Sequence, residues 1–350
     1  MRKNIFLLFS FIVSITVFGQ TIPSYYSTVD FTLSGVPLKN QLATLITNTH
    51  TNTLTYAEIW NALKIVDQDP TNSNNVVLVY GWPNTTTGQH AITRSKNDNG
   101  GNAGEWNREH VYAKSLGTPS LGETGPGADA HHLRASDVQW NNNRGNKKFA
   151  AGSGNSGNVG SDWYPGDEWK GDVARMMMYM YVRYGTRCLP ANVGVGSTTN
   201  SPDGMIDLFL QWNVDDPVST IEIQRNNYLG GTGTYAQGNR NPFIDNPYLA
   251  TKIWGGAPAP DNWGILGNKE FNLVQFKLYP NPAPNNTISI ETKERIDLIT
   301  VYNLEGKLVH KVSKPQFNNG TYTINQLKSG SYILTIKSGK NSSTKKFIVK

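Results

Sequence analysis

The sequence predicts an α+β chain: a larger domain of mainly helical segments around a strand–strand–helix centre, then a small antiparallel β-sandwich. Three observations carry this expectation. The chain has 350 residues, enough for about two domains and a substantial core. Before Trp254, apolar residues recur at helical spacing in several segments. From Phe276 they alternate in short runs divided by turn dipeptides.

Residues 1–20, MRKNIFLLFSFIVSITVFGQ, have a basic start and an apolar run from Ile5 to Phe18. This is the pattern of a secretory signal peptide. A buried helix or a membrane anchor is the alternative, but the run is short for a span and lies at the very start. No later stretch is apolar enough to cross a bilayer. Cys188 is the only cysteine, so the chain forms no internal disulfide. It follows RYGTR, where a packed thiol is a better reading than a nucleophile.

The net charge of +6 conceals an asymmetry. From Phe271 onward there are 12 Lys+Arg against 4 Asp+Glu, a balance of +8. Residues 21–270 carry 18 basic and 22 acidic side chains, a balance of −4. The larger domain is therefore no general polyanion binder, and any phosphate contact must come from a local cluster of cations.

In chain order, PLKNQLATLITNTH reads as a helix with Leu38, Leu42, Leu45 and Ile46 on one face. Thr55 and Glu58 form a capping box before a helix with the stripe Ile59, Trp60, Leu63 and Val66. Val76 to Tyr80 is a β-branched strand, and a second extended segment runs into Trp106–Val111. Ser115 to Ala128 is a Gly/Pro-rich loop. Ser136 and Gln139 suggest another capping box, which puts Asn141 about one turn into a helix. Residues 150–162 are poor in apolar side chains and read as a mobile surface loop. EWKGDVARMMMYMYVRYG is the clearest helix, with Val173, Met176, Met177, Met180, Tyr181 and Tyr184 at helical spacing and Gly185 as its stop. MIDLFLQWNVDD and TIEIQRNNYL are further helices. Residues 237–254 read as a tight loop with a short terminal helix.

The chemistry concentrates between Trp106 and Asn146. Three of the six histidines, His110, His131 and His132, fall here, with Arg108, Arg134 and Arg144. This composition points to phosphodiester hydrolysis at a metal. The attacking water must lose a proton, and a neutral His can take it near neutral pH. Charge on phosphorus and on the leaving oxygen must be stabilised, and a hard divalent cation bound by one or two protein oxygens can do this. Glu109 and Asn141 offer oxygen, and His110 offers a base. Adjacent strand residues face opposite ways, so the reading expects the strand to end or bulge at Glu109–His110. His131 and His132 could instead join His110 on zinc, but a closed zinc site takes four ligands and the cysteine is remote. Arg144, Lys147 and Lys148 could equally be a solvated helix end, and NNNRGN a plain turn.

Together WNREHV, DAHHLRASDVQWNNNRGN, GDVARMMMYMYVRY and QGNRNPFID resemble the bacterial endonuclease I family, in four ordered motifs from roughly Tyr56 to Trp254. The resemblance implies a ββα-metal (His-Me finger) nuclease domain over residues 21–268 that cleaves DNA, often RNA too, with magnesium. His110 matches the general base, and Glu109 and Asn141 match the two protein ligands of a mostly hydrated ion. The cofactor expected is Mg2+, with Ca2+ or Mn2+ as alternatives. His131 lies where the family keeps a histidine and takes a supporting role; Asp129 and Arg240 are structural. Some members place a supporting arginine in the loop after the Glu-His pair, whereas Ser115 to Ala128 contains none. Arg108, Arg134, Arg144 and Arg175 are the candidates to contact phosphate in its place.

After a linker at 269–276, residues 277–350 resemble the type IX secretion sorting domain of Bacteroidetes, through YPNP at Tyr279–Pro282, VYNLEGKLV and LKSGSYILTI. This implies outer-membrane secretion machinery as a partner, and delivery to the exterior or the outer cell surface. A carbohydrate- or DNA-binding sandwich is the alternative. The whole reads as a secreted, metal-dependent, nonspecific endonuclease that leaves 5′-phosphate ends on DNA, with RNA also open. The rivals are an RNA-preferring or small-diester phosphodiesterase of the same fold, and a non-catalytic surface binding protein.

Overall fold

The computed structural model describes residues 21–198, 201–265, 274–339 and 341–350. The chain divides into two compact units, Met1–Leu266 and Gly267–Lys350. The expected signal segment, and residues 269–273 of the expected linker, lie outside the described residues. No helix among the described residues is long and apolar enough to cross a membrane.

In the first unit, α1 (Gly35–Asn48) buries Leu38, Leu42 and Ile46, the expected stripe. Before α2 (Ile59–Val66), Thr55 N donates to Glu58 Oε2 at 2.8 Å and Glu58 N to Thr55 Oγ1 at 3.2 Å, the anticipated box. Strands β1 (Gln68–Asp69), β2 (Asn72–Val77) and β3 (Thr93–Ser95) form an antiparallel sheet. The strand expected at Val76–Tyr80 lies earlier. The chain leaves the sheet after Val77, Val79 N bonds Ala135 O at 2.8 Å, and Tyr80 turns at φ 68°.

A two-stranded hairpin, β4 (Trp106–His110) and β5 (Leu133–Asp137), is followed at once by α3 (Val138–Arg144). Residues 150–162, expected to be a mobile loop, run into a small hairpin of β6 (Gly157–Val159) and β7 (Asp162–Tyr164). The buried rings of Trp163 and Tyr164 anchor it. Helix α4 (Lys170–Tyr184) is buried continuously from Gly171 to Val182, so it is a central helix rather than a one-sided one. Gly185 ends it at φ 55°. Helices α5 (Pro190–Val193), α6 (Asp207–Asp215), α7 (Thr220–Leu229), α8 (Pro242–Asp245) and α9 (Tyr248–Trp254) complete the unit. The segment expected as a loop with one short helix therefore holds two. A second apolar cluster, with Ile59, Leu63, Val66, Leu133 and Ala135, joins α2 to the hairpin.

The second unit is the expected antiparallel sandwich. Its strands are β8 (Lys277–Tyr279), β9 (Ile288–Glu291), β10 (Leu298–Asn303), β11 (Leu308–Ser313), β12 (Thr321–Ile324), β13 (Gly330–Ser338) and β14 (Asn341–Val349). One sheet runs β11-β10-β13-β14 and the other β12-β9-β8. Alternate residues such as Ile288, Ile290, Ile299, Val301, Leu334 and Ile336 fill the core. Val274 and Phe276, assigned to the linker from sequence, are part of that core.

Candidate active site

The hairpin carries the residues that the sequence singled out. Its register is continuous from Trp106↔Asp137 to His110↔Leu133. The bulge expected at Glu109–His110 is absent: regular pairing holds both residues, and the strand only ends at His110. The pleat therefore separates them. Glu109 faces Tyr80 and Arg144, and His110 faces Tyr56 and His132.

Helix α3 starts where expected but with a different cap. Asp137 accepts from Gln139 N at 2.8 Å and Trp140 N at 2.9 Å, and pairs with Arg94 at 2.6 Å. Ser136 is buried in β5 and donates to Val79 O instead. A carboxylate at a helix N-terminus meets both the free N–H groups and the positive end of the dipole. Asn141 thus lies in the first turn, half-buried. Its Nδ2 donates to Asn107 Oδ1 at 2.6 Å, which leaves its carbonyl oxygen free to ligate. Asn107 is on the Glu109 side of β4, so both oxygen donors belong to one face.

Glu109 is 3% exposed. Tyr80 Oη donates to its Oε1 at 3.1 Å, and Arg144 Nη1 lies 3.1 Å from the same oxygen. Both contacts use Oε1, so Oε2 is the atom open to a ligand. Burial raises its pKa to about 7, against the opposing pull of Arg144 and the Tyr80 bond. A carboxylate oxygen and an amide oxygen from one side of β4 are the kind of donors that suit a hard divalent cation completed by water. Among the described residues no three His, Cys, Asp or Glu side chains converge as a metal site.

His110 is fixed by the loop before β5. Its Nε2 lies 2.9 Å from Gly127 O. A carbonyl can only accept, so Nε2 carries the proton and Nδ1 keeps its lone pair. His132 Nε2 meets the preceding carbonyl, Pro126 O, at 2.7 Å. This tight loop needs glycine: a Cβ on Gly127 would fall 2.0 Å from Gly122 O. Burial first, and the neighbouring His132 next, hold the His110 pKa down to about 3, so the free base persists at neutral pH.

The cation candidates separate clearly. Arg134 and Arg175 are buried in a charge-balanced chain with Arg225, Asp67, Asp172 and Glu222. Arg134 Nε lies 2.8 Å from Asp67, out of line for a hydrogen bond, and its Nη1 bonds Asp172 at 3.0 Å. Arg175 grips Glu222 with two bonds of 2.6 and 2.7 Å. Both guanidinium groups are buried and paired to carboxylates, which leaves no open edge on either side chain. Arg144, also fully buried, donates to His110 O at 3.0 Å and Val111 O at 2.8 Å, so it ties Glu109 to the end of β4. His131 is buried: its Nε2 meets Asn239 O at 3.0 Å and its ring packs on Tyr179. Asp129 accepts from the hydroxyls of Tyr179 and Tyr184, and Arg240 donates to Asp245. Of the four cation candidates, only Arg108 is half-exposed; among the described residues no carboxylate lies within ion-pair distance of it, and Glu123 acts on it from farther off.

Sequence reasoning missed Tyr80, Tyr56 and the carbonyl of Gly127. The Gly125-Pro126-Gly127 run was a visible turn signal, but nothing local marks the two tyrosines. Lys114, which opens the loop without arginine, pairs with Glu123 at 3.2 Å.

Comparison with known proteins bears on this geometry. The family model described as Endonuclease I matches residues 34–248, and the secretion system C-terminal sorting domain matches 277–350. An extracellular ribonuclease of Bacillus amyloliquefaciens is 44% identical over 231 residues, covering 63% of this chain and 75% of the relative. An extracellular ribonuclease of Bacillus subtilis is 45% identical over 231 residues, with the same coverage of 63% and 75%. Among solved structures, PorZ, a surface component of the type IX secretion system of Porphyromonas gingivalis, matches at 17% identity. That match covers 28% of this chain and 14% of PorZ with a TM-score of 0.20, too slight to carry an argument.

Proposed function

The chain belongs to the endonuclease I family and is a secreted nuclease, a phosphodiester hydrolase; from that premise we propose that it cuts RNA and DNA with His110 as general base and Glu109 and Asn141 as ligands of one hydrated divalent cation. The observation that carries this reading is the His110 Nε2–Gly127 O bond, which aims a lone pair, not a proton, from Nδ1. Nδ1 takes a proton from water as the water oxygen bonds to phosphorus and the bond from phosphorus to the 3′-oxygen breaks. The departing 3′-oxygen takes a proton from solvent water and His110 returns its proton to solvent, so the products are 5′-phosphate and 3′-hydroxyl ends.

Magnesium is the ion expected, with calcium or manganese as alternatives, and when bound it supplies charge stabilisation at phosphorus and the leaving oxygen. Glu109 and Asn141 hold it from one face of β4, and Tyr80 and Arg144 orient the carboxylate. His110 is on the other face, so a diester reaches both only at the end of the strand, where β4 stops. Arg108 is the cation best placed to grip the backbone there.

No step requires or excludes a 2′-hydroxyl. The relatives named as ribonucleases favour RNA among the substrates, and contacts limited to phosphate predict little sequence preference. The test is cleavage of plasmid, single-stranded DNA and RNA by the purified mature protein, in magnesium and in chelator. His110→Ala is expected to lose about 100-fold or more in kcat. Full activity in that variant removes the base assignment, and unchanged metal dependence in Glu109→Ala with Asn141→Ala removes the ligands.

A further inference from the structure

Arg108 and His110 are two residues apart on β4 and share the face opposite Glu109. Both rest on one side chain. The Arg108 guanidinium carbon is 3.6 Å from the Tyr56 ring centroid, and the His110 ring centre is 5.4 Å away with the planes 27° apart. Arg108 Nη1 also donates to the Tyr56 carbonyl, and the Trp60 ring lies 4.3 Å from the guanidinium carbon. Two aromatic rings thus hold a cation with no carboxylate in ion-pair range among the described residues, with Glu123 acting from farther off, and the N–H groups not spent on the Tyr56 carbonyl are left for an anion.

Beyond these contacts, Tyr56 packs against the apolar cluster of α2 and the hairpin. It is half-buried, and its hydroxyl makes no hydrogen bond to the described residues. The ring, not the phenol, is what the surroundings use. Resting on the reading of His110 as base, we propose that Tyr56 is a positioning residue that couples the grip on the nucleic-acid backbone to proton abstraction. Its ring sets the distance between the Arg108 fork and His110, so a phosphodiester held by Arg108 meets Nδ1 in register. Grip and base then share one rigid support.

The test compares Tyr56→Phe, Tyr56→Leu, Arg108→Ala and the double variant Tyr56→Leu/Arg108→Ala. The readouts are kcat and KM on single-stranded RNA and DNA, and the Kd of a fluorescein-labelled oligodeoxynucleotide by anisotropy in chelator. Thermal melts report folding. Tyr56→Leu is expected to weaken Kd about fivefold and lower kcat about tenfold. Tyr56→Phe, which restores the ring, brings both back to within about threefold of native. In the Arg108→Ala background, Tyr56→Leu no longer changes Kd but still lowers kcat. The proposal is overturned if Tyr56→Leu shifts only the melting temperature, if Phe fails to rescue, or if the Kd effect persists without Arg108. The base reading fails separately, through His110→Ala, and the Kd measurements in chelator are independent of it.

Discussion

Removal of Arg144 separates bracing from phosphate contact. Arg144 lies 3.1 Å from Glu109 Oε1 and bonds His110 O at 3.0 Å and Val111 O at 2.8 Å, with Phe149 4.8 Å from its guanidinium carbon. Arg144→Met keeps the apolar stem but leaves a buried carboxylate without its cation and takes a donor from three carbonyls, those of His110, Val111 and Gly145. Breaking a buried pair in this way costs about 3–5 kcal/mol. At roughly 2–4 °C per kcal/mol for a unit of this size, the melt should fall by about 10 °C.

The loss depends on pH with a definite sign. Burial raises Glu109 from 4.5 to about 7, so the fold binds this proton more tightly than the unfolded chain. The contribution favours the fold at acid pH and is lost as pH rises from 4.5 through about 7. Without Arg144 the carboxyl rises further, so the deficit of Arg144→Met should be smaller at pH 5 than at pH 8. Because Arg144 orients a proposed metal ligand, the magnesium concentration for half-maximal activity should rise about 10- to 100-fold. Calorimetric melts at the two pH values, with a magnesium titration of plasmid and RNA cleavage, measure both effects. A variant with native stability and native magnesium dependence, but a raised KM, would show that Arg144 grips substrate and would refute the bracing role.

Three further outcomes follow from the same contacts. Burial holds His131 and His132 down to about 4, from 6.5, so stability present above pH 6.5 should be lost toward pH 4, at a slope on the order of 1 kcal/mol per pH unit for each group; a flat urea midpoint between pH 7 and 4.5 contradicts this. Tyr80→Phe removes one donor to Glu109 and should cost about 1–2 kcal/mol with weaker magnesium dependence, measured by denaturant melts and metal titration. Glu222→Gln strips the bidentate partner of Arg175 and should destabilise by about 3 kcal/mol while the folded fraction keeps native kcat; a selective loss of kcat would place that ion chain in the chemistry.

Where the sequence and the structure part company, the cause is long-range partnership. Helix α1, the Thr55/Glu58 box, α4 and the sandwich are written in local spacing, and the structure follows it. The role of each arginine is not local. Arg134 and Arg175 look the same as Arg108 in sequence, yet Asp67, Asp172 and Glu222 bury two of them and leave the third half-exposed. The cap of α3 shows a similar contest. Ser136 fits the local pattern, but β5 pairing claims it, and Asp137 takes the helix end because Arg94 can neutralise its outer oxygen. The unbroken register through Glu109 and His110 has the largest consequence. A bulge would have put Glu109 and His110 on one face; regular pairing keeps them on two. Arg144 then becomes necessary, because its guanidinium binds the Glu109 carboxylate and the His110 carbonyl at once and so fixes one face relative to the other. If Glu109 and His110 act as proposed, a single phosphate meets both only beyond the Val111 N–His132 O bond of 3.2 Å that closes the pairing, and extending the ladder past that bond should abolish cleavage without unfolding the unit.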